Sequence, residues 1–165
     1  MNIEQFLWTQ QKGWQPALEK ASLKDAQLIL IFGSTAVLKL KKDFDVIRRA
    51  YPGASFVGCS TAGEICGTQV TDDSLVVTVV QFKKTTLKAV TLNINQAQDS
   101  YRIGEELAAK FPTENLVHVF VLSEGLNING SELVKGITSV LPQKVAATGG
   151  LSGDGSNFKE IYDLD

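Results

Sequence analysis

Short, continuous apolar runs alternate along the chain with segments of mixed polarity, and four of these runs end in clusters of the same kind. Each run leads directly into glycine, serine, threonine or an acid: LILIFGST (28–35), SFVGCSTAG (55–63), VHVFVLSEG (117–125) and VAATGGLSGDG (145–155). A continuous apolar run of about four to eight residues is typical of a strand that is covered on both faces. In open α/β sheets, ligands bind beyond the carboxyl ends of such strands. The pattern therefore predicts four strands and a ligand-binding edge where they end.

The segments between the strands carry apolar residues at spacings of three and four, which predict amphipathic helices. One helix presents a single apolar stripe formed by Val37, Leu40, Phe44 and Ile47. A second carries Ile103, Leu107 and Phe111, and a third runs over 130–141. Hydroxyl, carboxylate and amide side chains cap helix N-termini by accepting backbone N–H bonds. The caps that we expect are Ser34 or Thr35, Asp99 or Ser100, and Asn129.

The middle of the chain shows a different pattern. Residues 74–82 and 85–94 are rich in β-branched residues and are separated by Lys83-Lys84, which predicts an antiparallel hairpin. Residues 1–26 are predicted to be helical at most. Taken in order, these elements predict an α/β fold. It is a layered mixed β-sheet, with parallel β-α-β units plus a central antiparallel hairpin, flanked by helices.

Composition indicates one globular domain over residues 1–165. The chain is 44% hydrophobic and 21% charged, and its formal net charge of −2 argues against a nucleic-acid or anionic membrane surface. No stretch approaches the roughly 20 apolar residues that a membrane span needs. The first residues lack the basic and apolar regions of a signal peptide. With only two cysteines there is no disulfide framework, so we expect a cytoplasmic protein.

The densest candidate site is the segment from Gly58 to Glu64. Consecutive N–H groups in a turn of small residues can form a concavity that binds a carboxylate or a phosphate. The spacing of its glycines does not fit a nucleophile elbow. A phosphate loop requires lysine where Glu64 stands, and this acid would repel phosphate. Glu64 instead suits an ammonium group.

Catalytic and metal chemistry find little support in the sequence. Cys59 could act as a nucleophile if a base lowered its pKa. The single histidine, His118, lies inside an apolar run and is interpreted as structural. A zinc site needs four closely spaced ligands, which two cysteines and one distant histidine do not provide. We therefore expect neither catalytic residues nor a metal site.

Two further segments lie at predicted strand ends. Ser123-Glu124-Gly125 comes between a buried strand and a capped helix, so Glu124 can face the same edge as Glu64. The segment 148–155, TGGLSGDG, holds four glycines in eight residues. A loop so rich in glycine is entropically costly unless it needs unusual backbone angles or close approach to a ligand. We predict that this loop binds the ligand.

Three of these segments together resemble the FIST N-terminal domain, a sensory domain of bacterial and archaeal signal-transduction proteins. They are VGCSTAGEI (57–65), the Ser-x-Gly at 123–125 and TGGLSGDG (148–155), and the resemblance runs from about Leu28 to Phe158. The family usually carries aspartate where this chain has Glu124. Its domain is normally longer and is followed by a partner domain, so we expect the C-terminal part of that architecture to be absent here.

The resemblance implies a non-enzymatic input module that binds a small ligand, with amino acids the class usually proposed. It also implies a downstream signalling partner, such as a histidine kinase or a cyclic-dinucleotide enzyme. In our hypothesis, Cys59, Ser60 and Thr61 hold the carboxylate of a small zwitterion. Its ammonium group is held by Glu64, Glu124 or Asp154. The complete set of predicted ligand-binding residues is Cys59, Ser60, Thr61, Gly63, Glu64, Ser123, Glu124, Gly149, Gly150, Gly153 and Asp154.

Three alternatives stay open at this point. No cofactor is expected, but some relatives resemble haem-bound nitric-oxide sensors, for which His118, Cys59 or Cys66 could supply the axial ligand. A cysteine-dependent hydrolase or transferase would use Cys59. A structural interaction domain would form a homodimer through the edge of the 74–94 hairpin.

Overall fold

The computed structural model describes residues 1–40, 42–94, 99–155 and 163–164. The strands are β1 (Asn2–Thr9), β2 (Gly13–Gln15), β3 (Leu28–Gly33), β4 (Ser55–Ser60), β5 (Glu64–Cys66), β6 (Gln69–Thr71), β7 (Ser74–Gln81), β8 (His118–Ser123), β9 (Ala146–Leu151) and β10 (Asp163–Leu164). The helices are α1 (Thr35–Lys39), α2 (Lys42–Ala50), α3 (Ser100–Ala109) and α4 (Gly130–Val140), with a 3-10 turn at Leu18–Lys20.

The chain divides into two compact units. The first comprises Met1–Leu87 together with Ser152–Asp165, and the second is Lys88–Leu151. Each unit has its own cluster of buried apolar side chains. The sequence of the second unit therefore interrupts that of the first.

The first unit is built on a six-stranded sheet in the order β10-β4-β3-β7-β1-β2. Strands β3 and β4 run parallel, while the other neighbours are antiparallel. Ile29 and Ile31 of β3 lie opposite Val79 and Val77 of β7, and all four are fully buried. The apolar runs at 28–33 and 55–59 are thus confirmed as strands, and they are adjacent.

The predicted helix over residues 37–47 is two helices. Ser34 caps α1 by accepting a bond from Val37 N at 3.4 Å, as expected. Leu40 was expected on the buried stripe, but it follows the end of α1 and is 62% exposed. α1 ends at Lys39 and α2 begins at Lys42, and the two helices bury Leu38 and Ile47, respectively, in the same core.

The prediction of helix in residues 1–26 was wrong for β1 and β2, which are strands, while Leu18–Lys20 form a 3-10 turn. β1 pairs with β7 along its whole length, and Phe6 lies opposite Val77 in the core. β1 also pairs with the short β2, which Gly13 begins with a φ of +63°. Alternate residues of β1, namely Phe6 and Trp8, pack in or against the core, which is the two-residue period of a strand.

The predicted hairpin over 74–94 was also wrong in its second half. β7 is a buried strand as expected, but residues 85–94 form no strand. Both edges of β7 are already paired, with β1 and with β3, so no edge is left for the following segment. Leu92 and Ile94 pack instead against the core of the second unit. The homodimer hypothesis relied on the edge of this hairpin, which residues 85–94 do not form.

The second unit holds the parallel pair β8–β9 and the helices α3 and α4. Asp99 and Asn129 cap these helices as expected, accepting bonds from Tyr101 N at 2.8 Å and Glu132 N at 3.2 Å. The helices touch backbone to backbone, because a Cβ on Gly136 would lie 2.0 Å from the carbonyl oxygen of Tyr101. Glycine is therefore required at this crossing.

The segment predicted as a glycine-rich loop begins as a strand. β9 extends through Gly149 and Gly150 to Leu151, and only the residues after it form a loop. A Cβ on Gly149 would lie 1.8 Å from the carbonyl oxygen of Val121 in β8. Glycine is thus needed at this position for contact between the two strands, which is a structural reason for it.

The fold class is the predicted one: a mixed α/β architecture with parallel and antiparallel strands and flanking helices. The four apolar runs, however, belong to two sheets. β3 and β4 lie in the six-stranded sheet, and β8 and β9 form a separate pair. Among the described residues, no helix has the length and apolar character to cross a membrane.

Candidate functional site

An open pocket of about 160 Å³ lies in the first unit, at the carboxyl ends of β3 and β4. These ends are side by side because the two strands are parallel neighbours, with Gly33 opposite Ser60. Four segments form the walls, namely the strand exits 34–36 and 61–64, the turn 72–73 before β7, and residues 154–155. The first unit therefore has a concave site where the sequence pattern predicts one.

Backbone and side-chain hydrogen bonds fix the positions of these walls. Thr61 N donates to the carbonyl oxygen of Gly33 at 3.0 Å, which joins the two strand exits. Gly153 N donates to the carbonyl oxygen of Ser60 at 2.8 Å. Thr35 Oγ1 donates to Asp154 Oδ1, also at 2.8 Å. The segment at 153–154 is thereby held against both strand exits.

The pocket is acidic. Its lining includes the side chains of Glu64, Asp72, Asp73 and Asp154, and none of its described lining residues is lysine, arginine or histidine. Several like charges around one concave surface focus a negative potential there. In the part of the chain that the structure describes, no group of three or more histidine, cysteine, aspartate or glutamate residues is arranged to hold a metal ion. The acidic lining thus favours a cationic ligand.

Glu64 is almost completely buried, with 1% of its surface exposed. Its Oε1 accepts a 2.7 Å bond from Thr61 Oγ1, and its Oε2 accepts bonds from Ser74 Oγ at 2.8 Å and Ser74 N at 3.2 Å. Among the described residues, no lysine or arginine forms an ion pair with it. The carboxylate is thus held by neutral donors of the chain itself.

Cys59 and Ser60 lie inside β4 rather than in a turn, and both are buried. The backbone of Cys59 lies opposite Asp163 of β10. The N–H of Thr61, which was expected to face a ligand, is engaged with Gly33. The structure gives these residues roles in the sheet, and their part in holding a carboxylate stays a prediction.

Four of the predicted site residues belong to the second unit, namely Ser123, Glu124, Gly149 and Gly150. Ser123 is buried at the end of β8. The carboxylate of Glu124 accepts bonds from Leu126 N and Asn127 N, both at 2.9 Å, and so closes the turn that follows. None of these four is among the described lining residues of the pocket in the first unit. That lining includes Thr61, Gly63, Glu64 and Asp154.

His118 and Cys66, named for the haem alternative, have partners of their own. His118 is an exposed residue of β8, and its Nε2 lies 2.8 Å from Thr148 Oγ1 of β9. Cys66 Sγ lies 3.4 Å from Oε1 of Gln5. Neither contact indicates a haem pocket.

Sequence reasoning missed two parts of the pocket wall. Ser34 and Thr35 stood at the end of the first apolar run, but they were named individually only as helix caps. Asp72 and Asp73 form the turn from β6 into β7, and Asp73 has a positive φ of 50°. The position of Asp72 and Asp73 directly before the buried run of β7 was the sequence signal that could have identified this second wall.

A family model described as the FIST N domain matches residues 27–164. Searches of curated proteins and of solved structures gave no significant match. The matched range includes all three sequence segments that resemble the family and every residue that lines the pocket. The chain therefore belongs to the FIST N domain family, a family of sensory signal-transduction domains.

Proposed function

We propose that this chain is a sensory input domain whose pocket binds a small ligand with an ammonium group, such as an amino acid or a related zwitterion. One observation carries the proposal. The pocket at the ends of β3 and β4 is lined by four acids and by the hydroxyls of Ser34, Thr35 and Thr61, without a basic residue among its described lining. An ammonium group offers three N–H donors to such acceptors.

The size of the pocket limits the ligand. A cavity of about 150 Å³ accommodates a molecule as large as benzene. A pocket of about 160 Å³ thus suits a ligand of roughly six to ten non-hydrogen atoms, which includes the smaller amino acids and amines. A nucleotide would extend beyond it.

Asp154 is the acid that we expect to contribute most. It is half-buried, whereas Asp72 and Asp73 are exposed. Partly buried charges are screened less by salt than exposed ones. A charge-assisted hydrogen bond to Asp154 would contribute about 1.5–3 kcal/mol. Asp72 and Asp73 would mainly add to the attraction at longer range.

A thermal-shift screen with three ligands that share a three-carbon skeleton tests the proposal: L-alanine, propylamine and propionate. A ligand at 100 times its dissociation constant stabilises the folded protein by about 2.7 kcal/mol. We expect shifts of a few degrees with the two amines and none with propionate. Asp154→Asn should remove most of the shift. Asp25→Asn, which changes an exposed acid outside the pocket, should keep it.

A shift with propionate alone, or no shift with any small amine or amino acid, would overturn the proposal. Haem belongs in the same screen, because a shift accompanied by strong visible absorbance would favour the haem alternative. We further propose that the domain acts in the cytoplasm. Its downstream partner would be a signalling protein such as a histidine kinase or a cyclic-dinucleotide enzyme.

A further inference from the structure

The hairpin formed by β5 and β6 begins and ends at the pocket. The pocket wall 61–64 leads directly into β5, and β6 leads directly into the wall 72–73. The hairpin is only three residue pairs long, from Glu64 opposite Thr71 to Cys66 opposite Gln69. Any change in the spacing of its base therefore changes the spacing of two pocket walls.

Glu64 connects these walls at the base of the hairpin. Its Oε1 is bonded to Thr61 on one wall, and its Oε2 is bonded to Ser74, which directly follows the other wall. Thr71 adds to the same network, since its Oγ1 lies 2.8 Å from Ser74 Oγ and 3.3 Å from the carbonyl oxygen of Glu64. One side chain thus spans the base of the hairpin.

The far end of the hairpin is attached separately. Oε1 of Gln5 in β1 accepts bonds from Gly67 N at 3.1 Å and Cys66 Sγ at 3.4 Å. The outer face between the two attachments carries Ile65 and Val70, which lie opposite each other and are both exposed. The base of the hairpin can therefore loosen without release of its tip.

We propose that Glu64 is a positioning residue for the ligand pocket, and that its carboxylate acts by spanning the two walls rather than by contacting the ligand. The inference rests on the proposed function for the identity of the ligand. A buried carboxylate that has only neutral donors is costly. One carboxylate oxygen of Glu64 is hydrogen-bonded to Thr61 on one wall, and the other to Ser74 beside the second wall. This geometry explains why a side chain of this length stands at the base of the hairpin.

Two substitutions distinguish positioning from direct contact. In Glu64→Gln, Nε2 can donate to Thr61 Oγ1 while Oε1 accepts from Ser74, so the span is kept and the charge is lost. In Glu64→Asp the charge is kept, but the side chain is one methylene shorter and cannot reach both walls. A positioning role predicts that Gln is tolerated and Asp is not. A direct contact with an ammonium group predicts the reverse.

The experiment measures the affinity of the full chain for L-alanine together with amide hydrogen exchange without ligand. Loss of a hydrogen bond to a charged group corresponds to roughly a tenfold change or more. In Glu64→Asp we expect affinity to fall about tenfold and exchange at 65–71 to accelerate about tenfold, with exchange at Val77 and Val79 unchanged. In Glu64→Gln both quantities should stay within about threefold of the wild type.

Ser74→Ala supplies an independent test, because Ser74 is buried next to the pocket wall without lining the pocket. It removes one donor from the span and leaves the charge of Glu64 in place. We expect it to weaken L-alanine binding and to accelerate exchange at 65–71. If Ser74→Ala and Glu64→Asp bind normally while Glu64→Gln fails to bind, the positioning role is wrong. If the wild type binds no amine, the proposed function fails, and the exchange data without ligand still decide whether Glu64 spans the walls.

Discussion

Thr35, the first residue of α1, donates a 2.8 Å hydrogen bond to the carboxylate of Asp154, 119 residues further along the chain. The bond lies within the first unit and joins its N-terminal part to the segment that returns after the second unit. It also places the acid that we consider most important beside the exit of β3. The pocket thus depends on a contact that no local sequence pattern encodes.

We predict that Thr35→Val lowers the free energy of unfolding by about 1.5–3 kcal/mol, because a hydrogen bond to a carboxylate is lost while the shape of the side chain is kept. Thr85→Val is the matched control, since Thr85 is exposed and lies in the same unit. The control should change stability by less than about 0.5 kcal/mol. Urea unfolding measures both variants, and equal losses would show that the contact does not contribute.

The hydroxyl of Tyr51 is buried, and no described residue forms a hydrogen bond with it. An unsatisfied buried polar group is destabilising, so Tyr51→Phe should raise the free energy of unfolding by about 1 kcal/mol at neutral pH. Burial raises the pKa of Tyr51 above its ordinary value of 10.0, and the negative charge of Glu4 adds a smaller rise. The wild type should therefore lose stability as the pH rises above 10, and the variant should lose less. Denaturant unfolding at neutral and alkaline pH checks both expectations.

Glu4 of β1 accepts bonds from Ser22 N, from the Ser22 hydroxyl and from Leu23 N. Burial alone would raise its pKa, but these bonds and the charge of Lys24 outweigh it and hold the pKa below 4.5. A lowered pKa contributes stability above about pH 4.5 that is lost as the pH falls through the folded-state value. Glu4→Gln should be less stable than the wild type at neutral pH, and the difference should shrink in acid. A difference that does not depend on pH would contradict the assignment.

Gly136→Ala should destabilise the second unit by about 3 kcal/mol, because the added Cβ would lie 2.0 Å from the Tyr101 carbonyl oxygen and force the helices apart. Thr138→Ala is the control, because Thr138 lies two residues after Gly136 and is exposed on the surface of α4. It replaces a residue of low helix propensity and should be neutral within about 0.5 kcal/mol. Loss of helical circular dichroism on heating measures both variants.

Cys59 should resist alkylation while the protein is folded, since 2% of its surface is exposed. Thiols react as accessible thiolates, and burial within β4 denies access to the reagent. In Cys66→Ser, iodoacetamide should modify Cys59 only after denaturant is added. Rapid modification of the folded variant would revive the hypothesis of a cysteine-dependent enzyme.

Local features of the fold were predictable from the sequence. The continuous apolar runs identified β3 and β4, and the caps at Ser34, Asp99 and Asn129 were correct, because a cap depends on a bond to backbone two or three residues away. The partners of a strand are set by distant residues. β7 pairs with β1 and β3 rather than with the segment that follows it, so the predicted hairpin failed.

The candidate site was likewise predictable only where it depends on local sequence. Thr61, Gly63, Glu64 and Asp154 were expected at strand ends, and the structure brings them to one pocket. The span from Glu64 to Ser74 was not foreseeable, because it exists only after β5 and β6 have folded back. The assignment of β8 and β9 to a separate unit depends on packing around α3 and α4, which sequence periodicity does not specify.

The interruption of the first unit by residues 88–151 has a consequence for synthesis on the ribosome. Thr35 is made 119 residues before Asp154, an interval on the order of ten seconds at typical rates of translation. During that time the second unit is completed, while the first still lacks its last strand and one pocket wall. The pocket on the nascent chain therefore cannot be complete before Asp154 and Gly155 have been made.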